Sequence, residues 1–328
     1  MQVAQQCSRG ITNPANRACY GHSLPNTKGT RPDRRRLVTS LQCWQCRLSI
    51  ESISAYQSGV GNGKGVAPFQ MSDREYGVAA GLGAEFEIRE FRGTTPTSVP
   101  SELRSGVVHI WRLSPNGPSE VGACHEFLSP EERMRAARFL VERPRTEFIL
   151  TRAMLRFLVA SYLRKKPQEV SFSYSEYGKP RLNEAVDLHF NVSHTEGLAL
   201  AAFARDREIG VDAERIRPLS DARSLANRFF SVHERQLLEK LSGDELYSAF
   251  FRCWTRKEAY VKARGEGLSL PLHQFDVSIA EAEGNVLLAT RPDPLEAGRW
   301  IVRSLPVGDG YVAALAVAAT VGGGRQSR

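Results

Sequence analysis

Two short apolar runs in close succession set the first constraint on how this chain folds. LALAAFA at 198–204 and IGV at 209–211 have the length and composition of β-strands, and residues 205–208 between them are polar. This pattern predicts a β-hairpin. In such a hairpin, the start of the first strand and the end of the second strand lie at the same end of the sheet. We therefore expect FNVSHT at 190–195 to meet VDAE at 211–214.

The exit of the second strand contains two acidic residues, Asp212 and Glu214. Because side chains alternate along a strand, both carboxylates are predicted to point to one face and Ala213 to the other. Like charges held together repel one another and invite a cation, and carboxylate oxygens suit a hard ion such as Mg²⁺. The spacing is common in proteins, so a solvated strand end is the alternative.

A third acid lies on a helix predicted over residues 249–263. Trp254, Glu258 and Lys262 follow one another at i, i+4 and i+8 and form one stripe. An ordinary Glu–Lys surface pair is the simpler interpretation, but it does not explain the tryptophan in the stripe or Lys257 beside the acid. A helix that packs its tryptophan on the core and offers a carboxylate and an ammonium beyond it could form one wall of a metal–phosphate site.

Strand and helix signals also precede the two apolar runs. GVVHIWRL, from residue 106, alternates and predicts a strand, and LSPEERMRAARFLVE predicts a helix that starts with a capping box of Ser129 and Glu132. TEFILTRAMLRFLVASYLRKK predicts a second helix with Arg152 and Arg156 on one face. These arginines repel one another unless an anion or an acidic partner is near, and a solvated helix face is the simpler interpretation.

Composition bounds the class of protein. With 328 residues, of which 41% are hydrophobic, the chain has room for about two domains. It contains neither a window apolar enough for a membrane span nor a secretory h-region, which predicts a cytoplasmic protein. Residues 1–105 are rich in Gly, Ser, Thr and Pro and are predicted to be a flexible extension. CWQC at 43–46 is interpreted as incidental cysteines.

Six segments of the remaining chain occur together in a recognisable order: YGKP (177–180), FNVSH (190–194), IGVDAE (209–214), RFFSVHE (228–234), WTRKEAYVK (254–262) and GLSLPL (267–272). In this respect the chain resembles the 4'-phosphopantetheinyl transferases of the surfactin-synthetase-activating type, over roughly residues 106–320. GVDAE followed about 40 residues later by W-x-x-K-E-x-x-x-K is the specific part of the resemblance.

The resemblance implies an α/β fold of two similar halves related by pseudo-two-fold symmetry, with the active site in the cleft between them. The halves would span 106–205 and 206–320 of a monomer. It also implies the reaction: transfer of the phosphopantetheine arm of coenzyme A to a serine of an apo acyl, peptidyl or aryl carrier protein. That reaction uses Mg²⁺, or alternatively Mn²⁺, and releases adenosine 3',5'-bisphosphate. An internal repeat is not evident in the sequence itself.

The resemblance further implies roles for individual residues. Those expected to hold the magnesium ion are Asp212, Glu214 and Glu258. Those expected to contact the coenzyme are Arg152, Lys179, Pro180, Ser193, His194 and Lys262. For Ser193 and His194, a turn that leads into the strand is the alternative.

Two glutamates are candidates for the general base that takes the proton of the attacking serine. Glu258 is the first candidate and Glu234 the second. Ser231 and Glu234 also satisfy the capping-box pattern, so Glu234 could instead only fix the start of a helix.

Two other functions are compatible with some of these features. Three acids, a lysine and a formal net charge of +8 could serve a metal-dependent phosphodiesterase or nuclease. A non-catalytic basic binding module is the second alternative, although such a module has no need of a third acid on the Trp254 helix. The transferase prediction implies carrier proteins of fatty-acid, polyketide or nonribosomal peptide synthesis as partners, and neither nucleic acid nor membrane.

Overall fold

The structure is a computed structural model, and it describes residues 75–77, 85–91, 102–114, 121–281 and 284–319. Most of the predicted extension and the CWQC segment lie outside these residues. The strands are β1 (Glu75–Gly77), β2 (Glu85–Glu90), β3 (Val107–Leu113), β4 (Phe172–Tyr174), β5 (Pro180–Leu182), β6 (His189–Thr195), β7 (Leu198–Ala204), β8 (Ile209–Arg215), β9 (Phe275–Val277), β10 (Leu287–Thr290), β11 (Trp300–Leu305) and β12 (Tyr311–Ala318).

Two long helices and several short ones connect these strands. The α-helices are α1 (Val121–His125), α2 (Pro130–Ala136), α3 (Glu142–Leu163), α4 (Ala222–Phe229), α5 (Val232–Leu238) and α6 (Gly243–Arg264). One 3₁₀ turn follows α3, at Pro167–Glu169, and two follow α6, at Gly267–Ser269 and Leu272–Gln274. A further 3₁₀ segment spans Pro294–Arg299. The predicted capping box of Ser129 and Glu132 is present at the start of α2. Both predicted helices that follow it are confirmed, as α3 and α6.

The order of elements occurs twice. Each half consists of one strand, short helices, a 22-residue helix, a two-stranded hairpin and an antiparallel pair of strands. The strand order β6-β7-β3 in the first sheet corresponds to β11-β12-β8 in the second, and all these neighbours are antiparallel. This repetition agrees with the predicted α/β fold of two similar halves.

Within the described residues, the hydrophobic core has three parts, which define four layers. Helix α3 packs on the outer face of the first sheet, where Leu158 and Phe203 belong to one cluster. Helix α6 packs in the same way on the second sheet, through Tyr260 and its neighbours. A third cluster, which includes Ile110 and Val211, fills the space between the two sheets. The protein is thus a helix–sheet–sheet–helix sandwich.

A buried ion pair is repeated in the two halves. Arg156 in α3 and Lys257 in α6 lie at the same position, fourteen residues after the first residue of each helix. Arg156 pairs with Glu132 and Lys257 with Glu234, and each of these glutamates completes the capping box of the short helix before the long one. The two pairs are therefore equivalent features of a duplicated unit.

The basic members of these pairs also fix the chain that follows each long helix. The guanidinium of Arg156 donates to the carbonyl oxygens of Pro167 and Val170, both at 2.9 Å. The ammonium of Lys257 donates to those of Leu272 and Phe275, at 2.8 and 2.6 Å. Each pair thereby links a short helix, a long helix and the connection to the next hairpin.

The predicted hairpin of residues 198–204 and 209–211 is wrong in its pairing, although both strands exist. β7 pairs with β6 and β3, whereas β8 pairs with β12 in the second sheet. Both strands are buried on both faces, so their composition could not identify their partners. The tight hairpin is instead β6–β7, which turns at Glu196 and Gly197, where the positive φ of 77° at Gly197 suits glycine.

The fold includes a strand upstream of the predicted boundary at residue 106. β2 runs parallel to β3 and extends the first sheet, with β1 beyond it. Phe86 and Ile88 of β2 are buried in the cluster between the two sheets. Residues 85–91 therefore belong to the folded unit. None of the helices in the described parts of the chain is long and apolar enough to cross a membrane.

We expect Glu234→Gln to lower the free energy of unfolding by about 3–5 kcal/mol, because Lys257 would remain buried without its counter-charge. Both side chains have 0% exposed surface. Urea unfolding followed by circular dichroism measures the change. Glu239→Gln, at an exposed position after α5, is the matched control and should change stability by less than about 0.5 kcal/mol. Equal effects of the two substitutions would contradict the assignment.

Candidate active site

The acidic pair of β8 lies inside the protein. Asp212 has 0% and Glu214 1% of its surface exposed, so the alternative of a solvated strand end is wrong. Ala213 points into the cluster between the sheets, as the alternation of side chains predicts. Two carboxylates that are neighbours on one face of a buried strand need partners, because burial of unpaired charge is costly.

The first partners come from β6, the last strand of the other sheet. Every second side chain of β6 accepts a hydrogen bond from a backbone N–H of β8. Asn191 Oδ1 accepts from Val211 at 2.9 Å, Ser193 Oγ from Ala213 at 3.2 Å and Thr195 Oγ1 from Arg215 at 3.3 Å. We call Asn191, Ser193 and Thr195 the β6 ladder; it joins the two sheets, with β6 and β8 running parallel.

Two members of the β6 ladder also contact the acids. Ser193 Oγ donates to Asp212 Oδ1 at 3.1 Å, and Thr195 Oγ1 lies 3.5 Å from Glu214 Oε2. Each hydroxyl therefore accepts from the backbone of β8 and faces the carboxylate of the preceding β8 residue. The expected meeting of FNVSHT and VDAE is confirmed, although through side chains rather than through a hairpin.

Helix α6 provides the remaining side chains of the site. Lys262 Nζ donates to Asp212 Oδ1 at 2.6 Å and to the carbonyl oxygen of Val211 at 3.2 Å. Trp254 is buried in the α6 cluster, and Glu258, between the two in the predicted stripe, is half-buried. The predicted stripe on α6 therefore runs from the core to the acidic end of β8.

Gly210 allows α6 to lie directly on β8. A Cβ atom at this position would lie 2.2 Å from the carbonyl oxygen of Ala259 and 2.4 Å from the backbone nitrogen of Ala263. These distances are far below van der Waals contact, and both atoms belong to helix backbone. Glycine is therefore required for the close approach of α6 that lets Lys262 reach Asp212.

The donor atoms at this end of β8 fit a hard divalent cation. Asp212 and Glu214 offer carboxylate oxygens, and Mg²⁺ is typically held by one or two protein carboxylates together with water and substrate phosphates. Within the described ranges, no group of three or more His, Cys, Asp or Glu side chains is arranged to hold a metal ion. The prediction that Glu258 is the third ligand remains a prediction.

Both carboxylate oxygens of Glu234 are occupied by partners other than these acids. Its Oε2 accepts from the backbone of Ser231 at 2.9 Å, as the capping box requires, and its Oε1 accepts from the backbone of Val277 and pairs with Lys257, both at 2.8 Å. It has 0% exposed surface. The structure supports the capping alternative for Glu234 rather than the general base.

The arginines of α3 share an acidic partner. Glu132 pairs with both Arg152 and Arg156, which removes their mutual repulsion, and Arg156 is only 3% exposed. The predicted solvated helix face is therefore wrong. Burial alone would raise the pKa of Glu132, but the two guanidinium groups outweigh it and the pKa is lowered. Arg152 also donates to the hydroxyl of Tyr174.

Lys179 is buried and pairs with the partly exposed Glu208, just before β8. Its Nζ lies 2.8 Å from Glu208 and 3.1 Å from the carbonyl oxygen of Ala263. Burial lowers the pKa of Lys179. Interaction with His189, whose Nδ1 lies 3.6 Å from Oε1, and the charge of Lys179 lower the pKa of Glu208 to about 2. Lys179 thus connects the β4–β5 hairpin, which starts its second strand at Pro180, to β8 and α6.

Ser193 and His194 lie on opposite sides of β6. Ser193 is 2% exposed and belongs to the β6 ladder, whereas His194 is exposed. Both are in the strand, so the alternative of a turn before the strand is wrong. Only one of these two side chains is directly accessible to a ligand in solution.

Sequence reasoning missed three residues that hold the strands and the helix of the site together. Asn191 and Thr195 complete the β6 ladder, and the alternation N-x-S-x-T within a strand is the signal that could have revealed it. Gly210 is the third, and a glycine inside a strand is a known sign of close backbone approach. The partner of the α3 arginines, Glu132, was recognised only as a capping residue.

Comparisons with known proteins agree with this architecture. Residues 208–316 match the profile of the 4'-phosphopantetheinyl transferase superfamily, and residues 112–205 match the profile described as 4'-phosphopantetheinyl transferase, N-terminal. The two matches correspond closely to the two halves of the fold.

Individual relatives agree with these profile matches. The 4'-phosphopantetheinyl transferase HetI of Nostoc sp. is 39% identical over 221 residues, which cover 66% of this chain and 90% of HetI. The 4'-phosphopantetheinyl transferase Sfp of Bacillus subtilis is 32% identical over 192 residues, 58% of this chain and 83% of Sfp. AcpT of Salmonella typhimurium, also a 4'-phosphopantetheinyl transferase, is 40% identical over 110 residues, 34% of this chain and 56% of AcpT.

The fold is duplicated, and its acidic site lies at the seam, where β6 of the first half meets β8 of the second. Because both halves match transferase profiles, the chain is a group-transferring enzyme. The chain belongs to the 4'-phosphopantetheinyl transferase superfamily, which confirms the resemblance found in its motifs. It is a transferase that moves the 4'-phosphopantetheinyl group to carrier proteins.

We expect Gly210→Ala to destabilise the protein by about 1–3 kcal/mol or more, because the added methyl group forces α6 away from β8. The same displacement should reduce transferase activity, since it moves Glu258 and Lys262. Thermal unfolding and an activity assay measure the two effects. Gly122→Ala is the control, because a Cβ there meets no atom within 4 Å. A Gly210→Ala protein with normal stability and activity would refute the close-packing argument.

Proposed function

We propose that this chain transfers the 4'-phosphopantetheinyl group of coenzyme A to a serine hydroxyl of an apo carrier protein, with Mg²⁺, and releases adenosine 3',5'-bisphosphate. The observation that most supports this proposal is the buried carboxylate pair Asp212 and Glu214 where the two halves meet, with Lys262 of α6 bonded to Asp212. A structural strand end has no need of two adjacent buried acids.

Asp212 and Glu214 would hold the magnesium ion, and Glu258 is proposed as its third protein ligand. When bound, the ion would neutralise the pyrophosphate of coenzyme A and stabilise the negative charge that develops during transfer. Lys262, held by Asp212 at 2.6 Å, adds a positive charge at the same point. Its ammonium is expected to meet a phosphate oxygen of the coenzyme.

Glu258 is proposed as the general base. It would take the proton of the carrier serine while the serine oxygen bonds to the phosphorus that bears pantetheine, and the bond from that phosphorus to the bridging oxygen breaks. Adenosine 3',5'-bisphosphate leaves with the electron pair of that bond. The rigid packing of α6 on β8 around Gly210 supports this role, because a general base has to be held within hydrogen-bond reach of its proton.

The remaining residues predicted to contact the coenzyme fall into two groups, those whose side chains are accessible and those whose side chains are buried. His194 is exposed, and Arg152 keeps a partly exposed guanidinium between Glu132 and Tyr174, so we propose these two as direct contacts of the coenzyme phosphates. Lys179 and Ser193 are buried and engaged with protein atoms. We propose that they, together with Pro180, shape the nucleotide site from within.

The expected partners are acidic carrier proteins or carrier domains of fatty-acid, polyketide or nonribosomal peptide synthases. The formal net charge of +8 supports this expectation, since opposite charge accelerates docking. A cytoplasmic monomer remains the prediction for the protein in the cell.

Incubation with coenzyme A, Mg²⁺ and a panel of apo carrier proteins should add one phosphopantetheine to a carrier, as detected by intact-protein mass spectrometry. A chelator should prevent the addition. Parallel incubations with DNA and RNA test the nuclease alternative and should show no cleavage. If no carrier gains mass while nucleic acid is cut, the transferase proposal is wrong.

Asp212→Asn and Glu258→Gln should each lower kcat by about 10²–10⁴-fold, because they remove a proposed metal ligand and the proposed base while preserving side-chain shape. The matched controls are Asp244→Asn and Glu245→Gln, which alter exposed acids in the first turn of α6 and should retain activity. Circular dichroism verifies that all four proteins fold. Substantial activity in both site variants would refute the assignment.

A further inference from the structure

We propose that Ser193 and Thr195 are positioning residues, which orient Asp212 and Glu214 for the metal ion. This inference rests on the proposed function and assigns the β6 ladder a role in it. The observation behind it is that each hydroxyl joins two groups of β8: one backbone N–H and one carboxylate.

The hydrogen-bonding capacity of a hydroxyl group fixes the direction of each contact. Ser193 has one O–H donor, and the oxygen accepts from the backbone N–H of Ala213 at 3.2 Å. The proton is therefore available for Asp212 Oδ1, 3.1 Å away. Because the hydroxyl is anchored to the main chain of the strand that bears the acid, rotation of the carboxylate would break a buried hydrogen bond.

Asp212 Oδ1 is held from two sides. Ser193 donates to it from β6, in the first half, and Lys262 donates to it from α6, in the second half. Both contacts are made in the interior, where Ser193 is 2% and Lys262 5% exposed. The orientation of this carboxylate thus depends on the alignment of the two halves.

Glu214 is oriented in the same manner but less tightly. Thr195 Oγ1 accepts from the backbone of Arg215 at 3.3 Å and lies 3.5 Å from Glu214 Oε2. Thr195 is half-buried, near the end of the strand. Partners that orient metal-ligating groups typically change metal affinity by 10–100-fold when they are removed, and we expect Ser193 to have the larger effect of the two.

Asn191 provides an internal control within the β6 ladder. It accepts from the backbone of Val211 at 2.9 Å, so it makes the same link to β8 as Ser193. Within the described part of the chain, no hydrogen bond joins Asn191 to Asp212 or Glu214. Loss of Asn191 therefore tests the structural role of the ladder alone, and loss of Ser193 tests that role together with orientation of the acid.

The experiment compares Ser193→Ala with Asn191→Ala in the full chain. Mn²⁺ is titrated into each folded protein, with and without coenzyme A, and the free ion is measured by electron paramagnetic resonance. We expect Ser193→Ala to bind Mn²⁺ about tenfold more weakly than the wild-type protein, and Asn191→Ala to change the Mn²⁺ affinity less than about twofold. The half-saturating Mg²⁺ concentration of the transfer reaction should shift in parallel, with little change in the KM for the coenzyme.

Thr195 supplies a second test if a buried substitution prevents folding. Thr195→Val removes the hydroxyl at nearly constant volume, and Thr195→Ser retains it. We expect weaker Mn²⁺ binding in the valine variant and recovery in the serine variant. A purely structural role would predict no such difference in metal affinity between folded proteins.

Each result decides between the possibilities. Unchanged Mn²⁺ affinity in Ser193→Ala and Thr195→Val, or equal loss in Asn191→Ala, overturns the positioning role while the transferase proposal stands. A raised KM for coenzyme A with unchanged metal affinity assigns Ser193 to the coenzyme instead. A wild-type protein that binds no Mn²⁺ overturns the inference, and absence of carrier modification separately overturns the proposed function.

Discussion

The hydrogen bonds from the β6 ladder to β8 are the interaction on which the rest of the structure depends. They join two sheets that otherwise end at these strands, since β6 is the last strand of one sheet and β8 of the other. A backbone ladder would satisfy the N–H groups of β8 equally well. The hydroxyl oxygens of Ser193 and Thr195 accept from these N–H groups, and their protons can still be donated to carboxylates. The joint between the halves is thus also the support of the acidic pair.

The two halves share their architecture but not their chemistry. The ion pair of Glu132 with Arg156 is repeated as Glu234 with Lys257, so both halves retain the same internal frame. The next residue along each long helix differs: α3 has Phe157, which packs against the core of the first half, and α6 has Glu258. The proposed base therefore occupies a position at which the other half has a side chain that packs against the core. Only the second half has an acidic side chain there.

Much of this arrangement could be predicted from the sequence, because it follows from local rules. The capping boxes, the long helices and the common direction of Asp212 and Glu214 depend on residues a few positions apart. The pairing of β7 and β8 could not be predicted, since strands that are apolar on both faces give no sign of their partners. The shared partner of Arg152 and Arg156 was also missed, because Glu132 lies about 20 residues away and its capping role already accounted for it.

The position of β2 bears on how a macromolecular substrate can reach the site. β2 and β1 close the edge of the first sheet opposite to β6, three strands from the seam, which is about 14 Å at usual strand spacing. The end of β12 lies beside the start of β8, at Glu208, away from its acidic end. The first and last described residues, in β1 and just after β12, therefore lie away from the acidic end of β8, which is the end that a carrier serine has to reach in the proposed reaction.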